Sequence, residues 1–488
     1  MSAPEIDRGL ESSLGDTSPP PKQPPGSPRS VRPLMMRLHF YAGILVAPFI
    51  LIAAVSGGLY ALAPSLEQVV YRDYLHVDST GPAVPVADQI RAAQLVRPDL
   101  TVSAVRPAAE PGDTTRVLFT DPGLGESERR AVFVDPATAS PVGELTVYGS
   151  SSALPLRTWI SQLHRHLHLG EPGRIYSELA ASWMWVVALG GVYLWWDRYR
   201  KARRRNGSDA RLLTVDRSTS GRARTLSWHG VVGIWIAVAL VFLSATGLTW
   251  SKYAGENVTA LRTSLNWTTP QIHKSLGAST AGAGAAGGHE GHGAAVATGG
   301  DLLGTNVGRI DSVLATARRS GVDGAVEASI PSSPTTAFTV AQTRQPWVFA
   351  TDSVAVDGAT GQVTDVLRFA QWPLAAKLTS WGIQLHMGLQ FGLINQIALA
   401  ALAVALVTVI VHGYLMWWRR RPTRGSAWAV GRPPLRGALR QVHPALAVGS
   451  VAAAIVVGWF VPLLGISLVA FLVIDAAVGL RARARSRA

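Results

Sequence analysis

The sequence predicts an α-helical polytopic membrane protein with a duplicated four-helix core, two extracytoplasmic α+β modules and a C-terminal helical hairpin. Three observations lead to this prediction. Apolar residues make up 48% of the 488 residues and charged residues only 16%. The apolar residues gather into long runs with almost no charge, and a spanning helix needs about 20 such residues. The order of helices, strand-like runs and turns also occurs twice along the chain.

The membrane segments follow from the apolar runs. We assign four spans to the core, at residues 34–63, 174–196, 226–250 and 386–418. The first is too long for a signal-peptide core and lacks the usual small-residue cleavage site, so we expect an uncleaved anchor. Residues 1–33 are rich in proline, serine and charge, which predicts a disordered cytoplasmic tail. Residues 444–480 are too long for one span, and Pro462 and Gly465 near the middle favour a helical hairpin.

The basic residues predict the orientation. The net charge is +14, but the arginines lie beside the apolar runs and form no groove, which argues against nucleic acid as a partner. Short cytoplasmic loops collect Lys and Arg. We therefore place the basic segments 197–225, 419–443 and 481–488 in the cytoplasm, and residues 64–157 and 251–380 outside. The prediction is a multi-pass protein of the bacterial inner membrane, with its N-terminus in the cytoplasm and the lipid bilayer as a partner.

Each outside segment combines an amphipathic helix with strand-like runs. In the first, the helix is expected over 87–96 and the strands over 101–105, 116–120 and 131–134. In the second, the helix is expected over 309–319 and the strands over 325–330, 337–340 and 353–356. Asp135 and Asp357 open similar tight turns after the last of these strands. The two segments therefore look like copies of one module.

The second outside segment also has an insert rich in glycine and alanine, at residues 277–300. Its His289 and His292 resemble a flexible loop that binds metal ions. The insert lacks the second histidine of a His-Glu-x-x-His protease motif and is not expected to be helical. A disordered insertion without function is the interpretation that we favour, and metal binding is the alternative.

Five histidines lie at the ends of the apolar helices, in two tiers. His39, His229 and His412 are expected toward the cytoplasmic face, and His164 and His386 toward the outer face. An ionisable ring at membrane depth is costly and is usually kept for function. Two tiers of imidazoles are expected of a protein that stacks two haems across a bilayer. Because the chain has no cysteine, covalent attachment is excluded, and the prediction is b-type haem.

The repeat indicates how these ligands pair. His164 and His386 occupy matching places in the two halves and form the natural outer pair. His39 and His229 open the two halves and form the favoured inner pair. His412 has no counterpart in the first half, so it is either a ligand that displaces one of the inner pair or a contact to a haem propionate. The alternative is that all five are interfacial residues bonded to neighbouring helices.

Two arginines accompany the histidines. Arg37 and Arg157 are candidates for neutralising haem propionates, which need cationic partners. Positive-inside anchoring explains Arg37 equally well, but not Arg157, which is expected outside. The chain has no dinucleotide fingerprint or phosphate loop, and its cytoplasmic loops are too short for a flavin domain. Electrons would therefore need a separate donor, such as a membrane quinol or a soluble reductase.

Several short motifs occur in a characteristic order. They are Arg37-Leu-His39, Ser56-Gly-Gly58, Leu169-Gly170-Glu-Pro-Gly173, Trp228-His229, Thr246-Gly247, Leu385-His386 and Phe391-Gly392. Over roughly residues 33–420 the chain resembles the PepSY-associated transmembrane family, often called iron-regulated membrane proteins. The resemblance implies two outside PepSY domains and, as in some members, haem-dependent reduction of a ferric siderophore. Two alternatives stay open, a non-redox regulator of an extracytoplasmic peptidase and a protein that handles metal or haem.

Overall fold

The computed structural model describes residues 31–79, 81–206, 211–277, 301–419 and 443–485. The helices are α1 (Arg32–Leu45), α2 (Ala47–Val70), α3 (Arg72–Leu75), α4 (Val86–Val96), α5 (Pro155–His166), α6 (Glu171–Asn206), α7 (Gly221–Leu248), α8 (Tyr253–Ser264), α9 (Leu302–Arg319), α10 (Leu374–His386), α11 (Gly392–Trp418), α12 (Pro444–Phe460) and α13 (Pro462–Arg485). Among these, α2, α6, α7, α11 and α13 are long and apolar enough to cross a membrane. The protein is therefore a polytopic membrane protein.

The membrane core consists of α2, α6, α7 and α11. The largest helix contacts are those of α6 with α7 and of α11 with α2 and α7. Buried apolar side chains from all four helices form one cluster, which includes Ile50, Trp183, Leu240 and Leu406. The first span is interrupted at Val46, where α1 ends and α2 begins. α2 then continues through Pro64 to Val70, beyond the expected end of the first span.

The C-terminal segment folds as a helical hairpin. α12 and α13 meet at Val461, immediately before the proline that the sequence marks as the interruption. Gly458 and Gly465 allow close packing at this turn, because a Cβ on Gly465 would lie 2.6 Å from the Gly458 carbonyl oxygen. The hairpin packs against α6 and α8. Residues 481–485, expected in a basic tail, continue α13 instead.

The two α+β segments do not fold as separate modules. The strands are β1 (Thr101–Arg106), β2 (Thr115–Thr120), β3 (Glu128–Val134), β4 (Pro141–Tyr148), β5 (Val326–Ser329), β6 (Phe338–Gln342), β7 (Ser353–Val356) and β8 (Val363–Leu367). They form one antiparallel sheet in the order β4-β3-β2-β1-β5-β6-β7-β8. The junction is the pairing of β1 with β5, which places Ala104 opposite Ser329 and Val105 opposite Ala328.

The six predicted strands and both predicted helices of these segments are confirmed, but the edge strands β4 and β8 were missed. Both edge strands are half-buried or exposed at every position except Val147, so they lack the alternation of buried and exposed residues on which a strand prediction depends. α4 and α9 cover one face of the sheet and share its core, which includes Ile90, Val105, Ile310 and Phe338. The other face carries a smaller cluster around Leu118, Phe133 and Leu154 near the end of α2.

Ion pairs reinforce the junction between the two segments. Arg106 and Arg129 of the first segment bind Glu327 of the second, at 2.6 and 2.8 Å. Burial, and then the charge of Arg106, lower the pKa of neighbouring Arg116 to about 10. We call the side of the bundle that carries the sheet the sheet side. The opposite side, where α6 ends in Arg203, Arg204 and Arg205, is the basic side.

Residues 1–30, 80, 207–210, 278–300, 420–442 and 486–488 lie outside the described residues. The prediction for most of the N-terminal tail, and the prediction for nearly all of the second basic loop, therefore stay predictions. The same holds for His289 and His292 in the insert.

Candidate functional site

The five membrane histidines form two groups at opposite ends of the bundle. On the sheet side, His164 in the last turn of α5 faces His386 at the end of α10, with 6.5 Å between the ring centroids. On the basic side, His39 in α1 faces His229 in α7, with 6.1 Å between the ring centroids. The structure thus brings together the histidines of each expected pair from helices that are distant in sequence.

Two hydroxyls orient the outer pair. Nδ1 of His164 lies 3.0 Å from Ser56 Oγ, and Nδ1 of His386 lies 2.6 Å from Thr246 Oγ1. Each hydroxyl has one proton, which it donates at 2.8 Å to the backbone carbonyl one turn earlier in its own helix. The hydroxyl must therefore accept its second hydrogen bond from the ring. Both Nδ1 atoms carry the proton, and both Nε2 atoms keep their lone pair.

Two backbone carbonyls orient the inner pair. Nδ1 of His39 lies 3.0 Å from the Val187 oxygen, and Nδ1 of His229 lies 2.8 Å from the Val409 oxygen. A carbonyl only accepts, so Nδ1 is again the donor and Nε2 keeps its lone pair. Histidines that bind metals show this arrangement, because the second ring N–H is given to an oxygen that fixes the tautomer and the ring orientation.

Glycine lies beside each of the four paired rings. We describe each contact by the distance between a Cβ built on the glycine and the nearest ring carbon. This distance is 2.9 Å for Gly57 and His164, 3.0 Å for Gly191 and His39, 3.5 Å for Gly413 and His229, and 3.8 Å for Gly247 and His386. At the two shortest distances the ring would have to shift to admit a methyl group, whereas the other two are ordinary contacts. The imidazoles therefore pack directly on helix backbone.

The contacts recur at constant intervals along the chain. The same number of residues separates His39 from His229, Ser56 from Thr246 and Gly57 from Gly247. A second, different interval separates His164 from His386, Val187 from Val409 and Gly191 from Gly413. Each ring, its oxygen partner and its glycine therefore occur twice. By the second interval, His412 corresponds to Gly190, so the first half has no histidine at the matching position.

His412 stands apart from the two pairs. Its Nδ1 donates to the Thr408 carbonyl of its own helix at 2.7 Å, and its ring lies 6.5 Å from that of Trp228. It lines a cavity of about 300 Å³ at the basic side, together with Trp228, Arg224 and Arg419. The two guanidinium groups make this cavity suitable for an anionic group rather than for a metal ion.

Arg157 is buried near the outer pair with hydrogen-bonding capacity to spare. Its guanidinium lies 3.5 Å from the Glu67 carboxylate and over the ring of Tyr60. Its Nε and Nη2 atoms find no acceptor in the part of the chain that the structure describes. Buried donors without acceptors are costly. Since Arg157 lies two turns before His164 on α5, an anion near the outer pair could satisfy them.

Arg37 has a partner that the sequence did not reveal. It forms an ion pair with Asp475 of α13 at 2.5 Å and lies over the ring of Tyr41. Asp475 is the single acidic residue after residue 443. A lone acid in an apolar hairpin was the available signal, because such a charge needs a partner at membrane depth. The sequence does not reveal which cation Asp475 contacts, because that depends on how α13 packs on α1.

Comparison with known families identifies the fold. The family model described as PepSY-associated TM region matches residues 36–420. The chain belongs to this family. A search of the curated proteins finds no match. The PepSY-associated region includes all five histidines, Arg37, Arg157 and the whole sheet, whereas the C-terminal hairpin lies beyond it.

The PepSY-associated region has no larger metal-binding cluster in its described part, since no group of three or more His, Asp or Glu converges there. The paired histidines are therefore the candidate site. One motif of the region now has a structural explanation. Gly170 adopts a positive φ of 63° in the turn between α5 and α6, and a Cβ on Gly173 would lie 1.7 Å from the His166 oxygen. Gly173 therefore requires glycine, and the backbone conformation of Gly170 favours it.

Proposed function

We propose that this PepSY-associated protein holds two b-type haems between its histidine pairs and passes electrons to a ferric complex of the siderophore type. One observation carries the proposal. Each pair presents two imidazoles with Nδ1 held as a donor, at centroid separations of 6.1 and 6.5 Å. A ring separation of this size would leave room for one metal atom between two imidazole nitrogens, each bonded at about 2 Å.

The two pairs would serve two separate haems. His229 and Thr246, the partner of His386, lie on the unbroken helix α7, roughly 25 Å apart at ~1.5 Å per residue. One macrocycle does not reach both pairs. The recurring intervals support a duplicated core, in which each half contributes one histidine to each pair. This symmetry favours His39 with His229 over any pairing that includes His412.

Charged residues support the same assignment. The free donors of Arg157 suit a propionate at the outer site, and the cavity beside His412 suits a propionate at the inner site. Arg37, which is paired with Asp475, would instead fix the helix that carries His39. A bound haem supplies a one-electron couple at each site. The apolar bundle around the rings excludes water and leaves the Nε2 atoms as the ligands.

The proposed direction of electron flow depends on orientation. The basic ends of α6 and α11 support a cytoplasmic location for the basic side in a bacterial inner membrane, and hence an outside location for the sheet. A quinol or a soluble reductase would then donate at the inner pair, and a ferric complex would accept at the outer pair. Ferrous iron is held less tightly than ferric iron by hard oxygen ligands, so reduction would release it.

Haem content tests the proposal most directly. Protein purified from haem-replete cells should give a pyridine haemochrome of protohaem, near two per chain, and the haem should extract into acidic acetone. A colourless preparation would exclude the proposal and favour a regulator of a peptidase or a protein that handles metal. Topology reporters test the orientation separately: a fusion near residue 210 should be active only in the cytoplasm, and one near residue 300 only outside.

A further inference from the structure

The turn between α5 and α6 carries a basic and aromatic surface that the proposed electron path does not use. It consists of Trp159, Arg165, His166, His168 and Arg174, and we call it the α5–α6 surface. Its residues lie on both sides of His164 in the sequence, from α5 to the first turn of α6, on the sheet side of the bundle. The sequence alone predicts that His166 and His168 are ordinary solvated loop residues. In the structure, both rings instead contact neighbouring side chains.

The backbone of this turn is held in an unusual conformation. Leu167 and His168 have φ angles of 53° and 55°, a region that residues other than glycine rarely adopt. Gly173 packs so closely on the His166 carbonyl that no other residue fits there. Conformations of this kind persist only where the surroundings impose them, and they cluster at functional sites.

The side chains of the turn leave binding groups available. The ring of His168 stacks on that of Trp159, with centroids 5.0 Å apart, and its Nε2 donates to the Trp159 carbonyl at 3.1 Å. Trp159 nevertheless stays 54% exposed. The ring of His166 lies 6.0 Å from that of His168, and its buried Nδ1 has no hydrogen-bond partner among the described residues. The exposed indole face of Trp159 is therefore available to a ligand.

The charge of the surface is positive. Arg165 immediately precedes His166 in α5, and Arg174 lies in the first turn of α6. The acid nearest to them in sequence, Glu171, is already bound to Lys252 at 2.6 Å. The corresponding segment of the second half, residues 381–396, contains no Lys, Arg, Asp or Glu. The positive charge is therefore a property of the first half alone, although the turns stand in equivalent places.

We propose that the α5–α6 surface binds the ferric acceptor and favours an anionic chelate that carries free carboxylates. The inference rests on the proposed function and adds the class of substrate and its place of binding. Guanidinium groups match carboxylates in geometry and charge, and the exposed indole face suits the apolar part of a chelate. Since His166 is two residues from His164, a chelate bound here lies beside the outer pair.

Gallium(III) citrate separates binding from reduction, because it is an anionic chelate that does not accept electrons. Its binding would be measured by calorimetry on the full chain in phosphatidylcholine nanodiscs. We expect saturable binding that Arg174→Gln weakens, and that Arg165→Gln combined with Arg174→Gln weakens by about tenfold or more, as expected for lost hydrogen bonds to charged groups. Arg91→Gln, which removes an exposed arginine from α4, is the matched control and should bind as the parent does.

The gallium complex of ferrioxamine B, which is cationic, tests the charge preference. Its binding should not fall in the double variant. Unchanged affinity for gallium citrate in the double variant would overturn the inference, as would an equal loss for both chelates. Loss of citrate binding when the nanodiscs contain phosphatidylglycerol would also overturn it, since lipid phosphate would then occupy the surface. Size-exclusion profiles that match the parent show that the variants fold.

The same variants distinguish this inference from the proposed function. If gallium citrate binds and depends on both arginines but the protein never reduces ferric citrate, the binding site stands and the electron-transfer proposal fails. If the double variant reduces ferric citrate at the parental rate, electron transfer stands and the α5–α6 surface is not the acceptor site.

Discussion

The outer and inner histidine pairs have similar ring separations but are held by different oxygen atoms. Side-chain hydroxyls of Ser56 and Thr246 hold the outer rings, whereas helix carbonyls of Val187 and Val409 hold the inner rings. A hydroxyl can be removed or exchanged by one substitution, but a backbone carbonyl cannot. The outer pair can therefore be adjusted by its neighbouring side chains, while the inner pair depends on how whole helices pack.

Replacing the outer ligands should have the largest effect and should separate the two pairs. His164→Ala or His386→Ala should remove about one haem per chain, measured by pyridine haemochrome, because the outer pair then keeps one imidazole of its two. The remaining inner haem should still be reduced by the donor, while ferric reduction falls steeply. Replacing His289 and His292 is the control and should leave the haem content unchanged. Two haems with unaltered spectra in both outer variants would show that these residues are only interfacial.

Adding one methyl group tests how closely the outer ring packs. Gly57→Ala should lower occupancy of the outer site severalfold, since the new Cβ would lie 2.9 Å from His164 and must displace the ring. Gly247→Ala is the matched control, because its Cβ would lie 3.8 Å from His386 and needs no movement. Haem titration of the two variants makes the comparison. Equal affinities would mean that the ring of His164 is free to move.

Removing a hydroxyl tests the difference between the pairs directly. Ser56→Ala should weaken haem at the outer site by roughly tenfold, since lost hydrogen bonds to ligating histidines typically cost 10–100-fold in affinity. Thr246→Val, which keeps the shape of the side chain, should do the same. Separate titration of the two haems, followed by their spectra, gives the result. An effect on the inner haem instead would reverse the assignment of the two tiers.

The ion pair on the inner side should give the smallest effect. Asp475→Asn should destabilise the inner site by about 1 kcal/mol, a small value because the amide oxygen can still accept a hydrogen bond from Arg37. Thermal loss of the inner haem band should shift downward while the outer band stays in place. Ser467→Ala removes another polar contact of the same hairpin, to Trp183, and serves as the control. Equal shifts in both variants would mean that the hairpin acts through general packing.

Local patterns in the sequence account for much of this molecule. The charge-free runs predict the membrane helices, and alternation of buried and exposed residues predicts six strands. The edge strands β4 and β8 were not predicted, because they lack that alternation. The histidines were candidates because an ionisable ring inside an apolar run is unusual wherever it occurs. Nothing local indicated that Asp475 meets Arg37, or that Arg157 keeps two buried donors free.

The sequence by itself determined the elements of the fold and the candidate functional residues, since periodicity, charge and residue type are properties of short segments. Only the tertiary structure decided which of these elements contact one another. It joined the two α+β segments into one sheet through β1 and β5, and it placed His39 beside His229 and His164 beside His386. It also decided which ring nitrogen carries the proton, because that depends on an oxygen supplied by another helix. Such contacts arise from packing between distant segments, which no local pattern encodes.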